Sequence, residues 1–172
     1  MDSSEVEGER IRLRKFTLRD FEPFARLWRE PGVVRYIGPP RGVADSWSAF
    51  QKAAGSWALL GYGPWAIERL GDGRLIGQVG FFRALRGHGS DFDAAPECGW
   101  VLTGAAQGQG IGREALALAH GWWDRQPFGG PSHAMIDVGN AASLGLAGAF
   151  GYRVLREVED MGDRVALLRR EG

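Results

Sequence analysis

Residues 105–115 read AAQGQGIGREA, and the interpretation of the whole chain starts from this stretch. Gly108, Gly110 and Gly112 stand at every second position, and the helix-forming residues 114–118 follow without a break. The amino terminus of a helix presents unpaired backbone N–H groups and the positive end of the helix dipole, so it attracts anions. Glycines in front of a helix remove the side chains that would keep a phosphate away from those amides. The stretch therefore predicts a phosphate-binding loop, with a flexible connection that only lets helix and strand pack closely as the alternative.

Two well-known phosphate loops fit this stretch poorly. A P-loop requires Lys and then Ser or Thr after its last glycine, whereas Arg113 and Glu114 follow Gly112 here. Gly110, Gly112 and Ala115 nominally match a dinucleotide fingerprint. That fingerprint belongs near the start of a nucleotide-binding domain and needs an acidic ribose ligand about 20 residues further on. The late position of the stretch argues against it.

The rest of the sequence predicts strands and helices in the order β, α, α, β, β, β, α, β, α, β, β, with this loop before the third helix. Seven strands are predicted from hydrophobic periodicity and turn residues, at residues 10–17, 64–70, 74–83, 97–103, 133–138, 152–159 and 163–170. Four helices are predicted, at residues 17–30, 45–61, 111–123 and 140–151. Gly99 is a candidate bulge in the strand before the loop. The expected architecture is α/β (mixed α+β), in one domain over residues 1–172.

Composition and charge argue against several functional classes. The formal net charge of zero argues against a broad surface for nucleic acid or an anionic membrane. Cys98 is the only cysteine, so an internal disulfide and a thiolate metal cluster are both excluded. His88, Asp91 and Asp93 share a glycine-rich loop without a fourth ligand nearby, and no metal site is expected. The start, MDSSEVEGER, is polar and no run of about 18 apolar residues occurs, so we expect a cytoplasmic protein.

Two segments resemble the GNAT superfamily of N-acetyltransferases. Gln107, Gly110 and Gly112 match its acyl-CoA signature, which is Gln or Arg, two variable residues, Gly, one variable residue, then Gly or Ala. Residues 137–154, DVGNAASLGLAGAFGYRV, resemble its second conserved block, with Asn, Ser three residues on, and a final Gly-Phe or Gly-Tyr. The branch that holds the ribosomal-protein-alanine and ribosomal-protein-serine N-acetyltransferases is also similar in two further segments, residues 11–38 and 65–83. The resemblance implies the GNAT fold, a central mixed, mostly antiparallel sheet of six to seven strands flanked by about four helices.

The resemblance implies a reaction as well. An acetyl group would pass from acetyl-CoA to a primary amine by direct attack, with CoA as product and no metal. The acceptor would be a small amine, an amino acid or a peptide or protein N-terminus, and a homodimer is left open. We expect the acceptor pocket to include Arg35, Tyr36 and Trp65. Arg35 and Arg41 in the loop at residues 30–42 favour an acceptor with a carboxylate or phosphate.

Cofactor-binding positions follow from the same resemblance. Backbone amides of the signature would hold the pyrophosphate, and the strand before it would pair with the pantetheine. A bulge at Gly99 would splay that strand from its neighbour and free its backbone groups. The expected cofactor-binding residues are Trp100, Val101, Leu102, Thr103, Gln107, Gly108, Gln109, Gly110, Ile111, Gly112, Arg113, Asn140 and Ser143.

Glu97 and Ser143 are the candidate catalytic residues. Glu97 would act as general base through water, because the family often carries a glutamate on this strand; a structural pair with an arginine is the alternative. Ser143 would act as acid toward the leaving thiolate, or would stabilise the first turn of its helix. A free amide near Leu102 or Thr103 would stabilise the oxyanion. Many family members carry a tyrosine seven residues after the motif Asn, where this chain has Ala147, so a non-catalytic acyl-CoA-binding sensor is the alternative function.

Overall fold

A computed structural model describes residues 4–172, so the first three residues of the polar amino-terminal stretch lie outside the described residues. Eight strands lie within that part of the chain: β1 (Val6–Glu7), β2 (Ile11–Arg14), β3 (Pro64–Arg69), β4 (Leu75–Phe82), β5 (Glu97–Leu102), β6 (Ser132–Asp137), β7 (Arg153–Asp160) and β8 (Asp163–Arg170). They form one sheet in the order β1-β2-β3-β4-β5-β6-β8-β7. Neighbouring strands are antiparallel except β5 and β6, which are parallel.

Six α-helices occur in the same described residues: α1 (Phe21–Leu27), α2 (Pro31–Val34), α3 (Val43–Leu60), α4 (Ser90–Asp93), α5 (Ile111–Trp123) and α6 (Ala141–Ala149). Short 3-10 turns precede α1, at Leu18–Asp20, and α5, at Gly104–Ala106. Between residues 4 and 172, every helix falls short of the length or apolar character that a membrane span requires.

The predicted fold class, a mixed and mostly antiparallel α/β sheet flanked by helices, is confirmed. The described chain has more strands and helices than expected because β1, α2 and α4 are too short to produce a hydrophobic period. Helix α1 begins at Phe21 rather than at residue 17. The Asp20 carboxylate accepts a hydrogen bond from the Thr17 backbone N–H at 2.7 Å, which fixes a 3-10 turn before the helix. That residues 1–172 form one domain stays a prediction.

The sheet has a hydrophobic cluster on each face. Strand β3 shows the alternation, because Trp65 and Ile67 pack in the cluster that includes α5, whereas Ala66 packs in the cluster formed by α1, α2 and α3. The sheet is therefore covered on both sides, and any site on it must lie where this cover or the strand pairing is interrupted.

The pairing is interrupted between β5 and β6. These strands pair only where Glu97 lies opposite His133, and beyond this point they separate. On its other side β5 pairs with β4 without a register shift, from Gly77 opposite Leu102 to Phe82 opposite Glu97. The predicted bulge at Gly99 is therefore wrong. The expected separation of β5 from a neighbour exists, and it results from the divergence of β6.

Candidate active site

The glycine loop, residues 107–112, turns the chain from β5 into α5. Gly108 has a φ of +72° and Gly110 a φ of +79°, a left-handed conformation that side-chain-bearing residues rarely adopt. Gly110 is the N-cap residue of α5. Gly112 lies inside the first turn, where an added Cβ would lie 3.2 Å from the Leu146 side chain of α6. The first two glycines thus shape the turn, and the third lets α5 and α6 approach closely.

The glycine loop leaves a continuous run of backbone donors unpaired. The N–H groups of residues 108–113 find no acceptor within residues 4–172. The first helical bond of α5 runs from the Glu114 N–H to the Gly110 carbonyl at 3.1 Å. Ile111 is 6% exposed and fixes the start of the helix in the core. Six amides at the positive end of a helix dipole are therefore available to an anion.

Two glutamine side chains hold the shape of this loop. Gln107 Nε2 donates to the Leu102 carbonyl at 3.1 Å, which ties the loop to the end of β5. Gln109 Nε2 donates to the Ala105 carbonyl at 2.6 Å. Because both amides bond to the backbone that precedes the loop, the unpaired N–H groups keep a fixed geometry.

Arg10 fastens the loop from a distant part of the chain and was missed by sequence reasoning. Its Nε donates to Glu114 Oε2 at 2.7 Å, and its Nη1 donates to the Gln109 carbonyl at 2.8 Å. Partial burial would raise the pKa of Glu114, but the hydrogen bonds from Arg10 outweigh it and lower the pKa. Because Arg10 and Glu114 neutralise each other, this pair fixes the position of the loop without adding net charge. No local pattern could have revealed a contact between residues so far apart in sequence.

One edge of β5 faces the gap left by β6. The Thr103 N–H donates to the Ile76 carbonyl at 2.9 Å, so these opposite residues form a hydrogen-bonded pair with β4. Opposite residues in an antiparallel ladder alternate between bonded and non-bonded pairs. Leu102 and Trp100 therefore direct their backbone N–H and C=O groups away from β4 and into the gap. The expectation of a free amide at Thr103 is wrong, and the Leu102 amide remains the candidate oxyanion donor.

A groove of about 1030 Å³ opens where β5 and β6 separate. Its walls come from α1, α3, β4, β5, β6 and the start of α6, so it adjoins both the open strand edge and the second conserved block. Several of the predicted site residues line it together: Tyr36, Glu97, Trp100, Val101, Asn140 and Ser143.

Glu97 lies in the wall of this groove with both carboxylate oxygens engaged. Arg86 Nε donates to Oε2 at 2.6 Å and Arg86 Nη2 donates to Oε1 at 3.1 Å. The Glu97 side chain is only 6% exposed. The arginine partner considered from the sequence is thus present. Each carboxylate oxygen has two lone pairs, so this pair still leaves Glu97 able to accept a proton or a water hydrogen bond from the groove.

Asn140 and Ser143 meet at the start of α6. Asn140 is the N-cap residue, and its Oδ1 accepts a hydrogen bond from the Ser143 backbone N–H at 3.1 Å. The Ser143 hydroxyl has no partner within residues 4–172, so it is available to the groove. Ala147, one turn further on, is fully buried in the core. Ala147 occupies the position of the family's usual tyrosine and has no hydroxyl. Ser143, one turn earlier in α6, supplies the nearest hydroxyl among these residues.

The three acceptor-binding residues predicted from the sequence lie in three different environments. Tyr36 lines the groove and reaches toward the loop before α6, because a Cβ added to Gly139 would lie 3.4 Å from its ring. Arg35 is exposed, with its guanidinium 5.1 Å from the Tyr36 ring centre, and does not belong to the groove wall. The prediction for Trp65 is wrong. Its side chain is 0% exposed on the opposite face of β3, and its Nε1 donates to the Ser4 carbonyl.

Cys98 is buried rather than reactive. Its side chain is 2% exposed, and burial raises the pKa of the thiol to about 12. It adjoins Tyr152, whose hydroxyl lies 2.8 Å from Ser132 Oγ and whose pKa is also raised by burial. Cys98 is therefore a neutral thiol inside a closed hydrogen-bonded cluster.

The polar side chains of the loop before β5 are engaged by other residues. His88 Nε2 lies 3.1 Å from Asp160 Oδ1, and Asp91 pairs with Arg156. Within the described residues, no group of three or more His, Cys, Asp and Glu side chains is arranged to hold a metal ion.

Residues 10–153 match the family described as the acetyltransferase (GNAT) domain. Because this match spans most of the chain, the chain belongs to the GNAT acetyltransferase family. The enzyme class and the family resemblance predicted from the sequence are confirmed.

Solved structures with the same fold include acetyltransferases of several kinds. A protein described as a GnaT-family acetyltransferase from Bordetella pertussis is 26% identical with a TM-score of 0.88, covering 96% of this chain and 98% of that one. An acetyl transferase from Salmonella typhimurium that modifies the N-terminal serine of a 50S ribosomal subunit protein is 14% identical, with a TM-score of 0.77 and 96% of each chain covered. YncA from Salmonella typhimurium, solved with acetyl-CoA, is 19% identical, with a TM-score of 0.71 and 95% and 94% covered. The last two share too little sequence to show more than the fold.

Proposed function

We propose that this chain transfers an acetyl group from acetyl-CoA to a primary amine bound in the groove, by direct attack. The observation that carries the proposal is the run of six unpaired amides at residues 108–113, placed directly after a strand with an open edge. The fold shared with a neighbour that was solved with acetyl-CoA supports this choice of donor.

The residues present fit a CoA thioester. The amides of residues 108–113 would hold the pyrophosphate, with Arg10 fixing the loop and Arg113 adding positive charge at the same helix start. The backbone groups of Trp100 and the second lone pair of the Leu102 C=O would pair with the amides of the pantetheine arm, much as a peptide adds a strand to an open sheet edge. The Leu102 N–H is then left for the acetyl carbonyl. This placement would bring the thioester to the part of the groove that Glu97 and Ser143 line.

The chemistry requires the charge on the carbonyl oxygen to be stabilised and two protons to be moved, one to the leaving thiolate and one from the amine. Acetyl-CoA supplies the acetyl group as a thioester. A neutral amine forms the C–N bond, and the Leu102 N–H would donate to the carbonyl oxygen as that oxygen gains charge. The C–S bond then breaks, and the Ser143 hydroxyl would donate its proton to the leaving thiolate and regain one from water. CoA leaves as the thiol.

Glu97 would take the proton that the amine loses, through a water in the groove. An alkyl ammonium has a pKa of about 10.4, so very little of it is neutral at pH 7 without a base. The pair with Arg86 fixes the direction of the carboxylate while leaving lone pairs toward the groove. The acceptor would be a small amine, an amino acid, or a peptide or protein N-terminus, as for the ribosomal neighbour.

Calorimetry with CoA and a thiol-release assay test the proposal. We expect CoA to bind and free thiol to appear when acetyl-CoA is mixed with a panel of amines, with the acetylated product identified by mass spectrometry. Binding without thiol release across the panel would favour the acyl-CoA sensor. No affinity for CoA would refute the assignment of the amides.

A further inference from the structure

Arg41 lies in the groove wall without a carboxylate partner. Its guanidinium stacks on the Trp28 ring, with 3.6 Å between Cζ and the ring centre, and its backbone N–H donates to the Trp28 carbonyl at 3.1 Å. Both residues line the groove. No side chain or carbonyl within residues 4–172 accepts a hydrogen bond from the guanidinium. Arg41 is therefore a partly buried cation with free hydrogen-bond donors in the groove wall.

The stacked geometry leaves the hydrogen-bonding edge of this arginine free. An aromatic ring covers the face of a guanidinium, whereas its five N–H donors point outward in the plane. Burial lowers the pKa of Arg41 from its ordinary value, and Asp45 partly offsets that effect. An arginine remains charged at neutral pH even so. No carboxylate within residues 4–172 forms an ion pair with it, so its donors can bind an anion that enters the groove.

The other charged residues of the groove do not supply that anion. Glu97 is neutralised by Arg86, and Asp137 accepts a hydrogen bond from a neighbouring backbone N–H. Asp45 lies close enough to affect the pKa of Arg41 but forms no ion pair with it. Lys52 and Arg83 also line the groove and make no ion pair within residues 4–172. The charge left over on the groove wall is positive.

We infer that Arg41 binds a carboxylate carried by the acceptor, so that the substrate is a small amino acid-like amine. This inference rests on the proposed function, because it names the acceptor of the same groove. A planar guanidinium edge matches a planar carboxylate with two parallel hydrogen bonds. A phosphomonoester has about two negative charges and would also draw on Lys52 and Arg83, so phosphoethanolamine is the competing substrate in the test.

Matched substrates test the inference. Each L-amino acid is compared with its amide, and phosphoethanolamine with ethanolamine, by measuring kcat and KM with acetyl-CoA. We expect the best amino acid to have a KM about 10- to 100-fold below that of its amide, the effect of one charged hydrogen-bonded contact. Arg41→Gln should raise the KM for the acid by the same factor and leave the KM for the amide and the affinity for CoA unchanged. Arg41→Lys should restore part of the loss.

Arg26→Gln is the matched control, because Arg26 is an exposed arginine of α1 outside the groove, paired only with Glu22. It should change none of these constants, and melting temperatures should show that all variants fold. Equal KM values for acid and amide, or equal losses for both in Arg41→Gln, would overturn the inference. Turnover of these substrates would still support the proposed acetyltransferase activity. Selective use of phosphoethanolamine, or better use of neutral peptide amides, would also overturn it. CoA binding without turnover of any amine by the unaltered protein would instead refute the proposed function.

Discussion

The cofactor end and the acceptor end of the proposed site are made of different chemical groups. At the cofactor end the donors are backbone amides, at residues 108–113 and on the open edge of β5. At the acceptor end the wall consists of side chains, such as those of Trp28, Tyr36 and Arg41, from separate elements. A backbone site depends on local conformation and tolerates many sequences, whereas a side-chain site can change its ligand with one substitution. We therefore expect other proteins of this fold to share the backbone groups of the cofactor end, whereas the side chains of the acceptor end should be specific to this protein.

The largest expected effect lies where the two ends meet. Glu97→Gln should lower kcat/KM at pH 7 by about 100-fold or more, because a positioned base commonly contributes that much. The loss should shrink as the pH rises toward the pKa of the acceptor amine, since more of the amine is then neutral without help. Rates measured between pH 6 and about 10 check this pH dependence.

Arg86→Gln separates the base from the ion pair. If Glu97 serves only as the partner of Arg86, both substitutions should reduce the rate equally and at every pH. If Glu97 is the base, Arg86→Gln should keep a rate above that of Glu97→Gln. A pH-independent loss in Glu97→Gln would contradict the base role.

At the cofactor end, Gly110→Asp should weaken CoA binding by about 100-fold, because it adds a negative charge next to the amides that would hold the phosphates, in the space beside Arg10. Gly110→Asn is the matched control, since asparagine has the same shape without charge and tolerates a positive φ. It should retain most of the affinity measured by calorimetry. Equal losses in the two variants would indicate backbone strain rather than an anion site.

Ser143→Ala should have a smaller effect. The leaving thiolate needs only a weak acid, so we expect kcat to fall about tenfold, below the usual range for acid catalysis. The cap of α6 uses the Ser143 backbone N–H, which alanine keeps, so the melting temperature should not change. Asn140→Ala removes that cap and should cost about 1 kcal/mol of stability. A drop in stability for Ser143→Ala without a drop in kcat would favour the structural role.

Cys98→Ala should have the smallest effect on turnover. Because burial raises the pKa of Cys98 to about 12, the thiol stays protonated throughout neutral pH and cannot act as a nucleophile. We expect an unchanged kcat and no acetylated protein in mass spectra after incubation with acetyl-CoA. A rapid loss of turnover together with an acetyl adduct on the unaltered protein would contradict direct transfer.

The cofactor end could be predicted from the sequence because its signal is contiguous. The positions of Gly108, Gly110 and Gly112 specify two left-handed turns and one close helix contact within a few residues. The principal strands and helices could be predicted in the same way, because each is long enough to show a clear hydrophobic period. The bulge at Gly99 was a wrong inference from a single glycine, because the edge is opened by β6 instead.

The acceptor end could not be predicted to the same degree. Trp65 was predicted to line the acceptor pocket, but the face of the sheet to which it points depends on the register of β3 with its neighbours. Arg10 reaches the glycine loop only because β1, β2 and α5 pack together. The stack of Arg41 on Trp28 likewise depends on how a proline-rich loop folds back. Such contacts exist only after the chain has folded.

The separation of β5 from β6 has a consequence for the stability of the protein itself. A sheet with a gap at its centre is incomplete, and a ligand strand that fills the gap completes its ladder. Ligand at 100 times its Kd adds about 2.7 kcal/mol to the free energy of unfolding. The Trp100 and Leu102 amide hydrogens should therefore exchange rapidly with solvent in the free protein and slowly when CoA is bound. The supply of acyl-CoA in a cell would then set how rigid this enzyme is at its centre and how readily proteases degrade it.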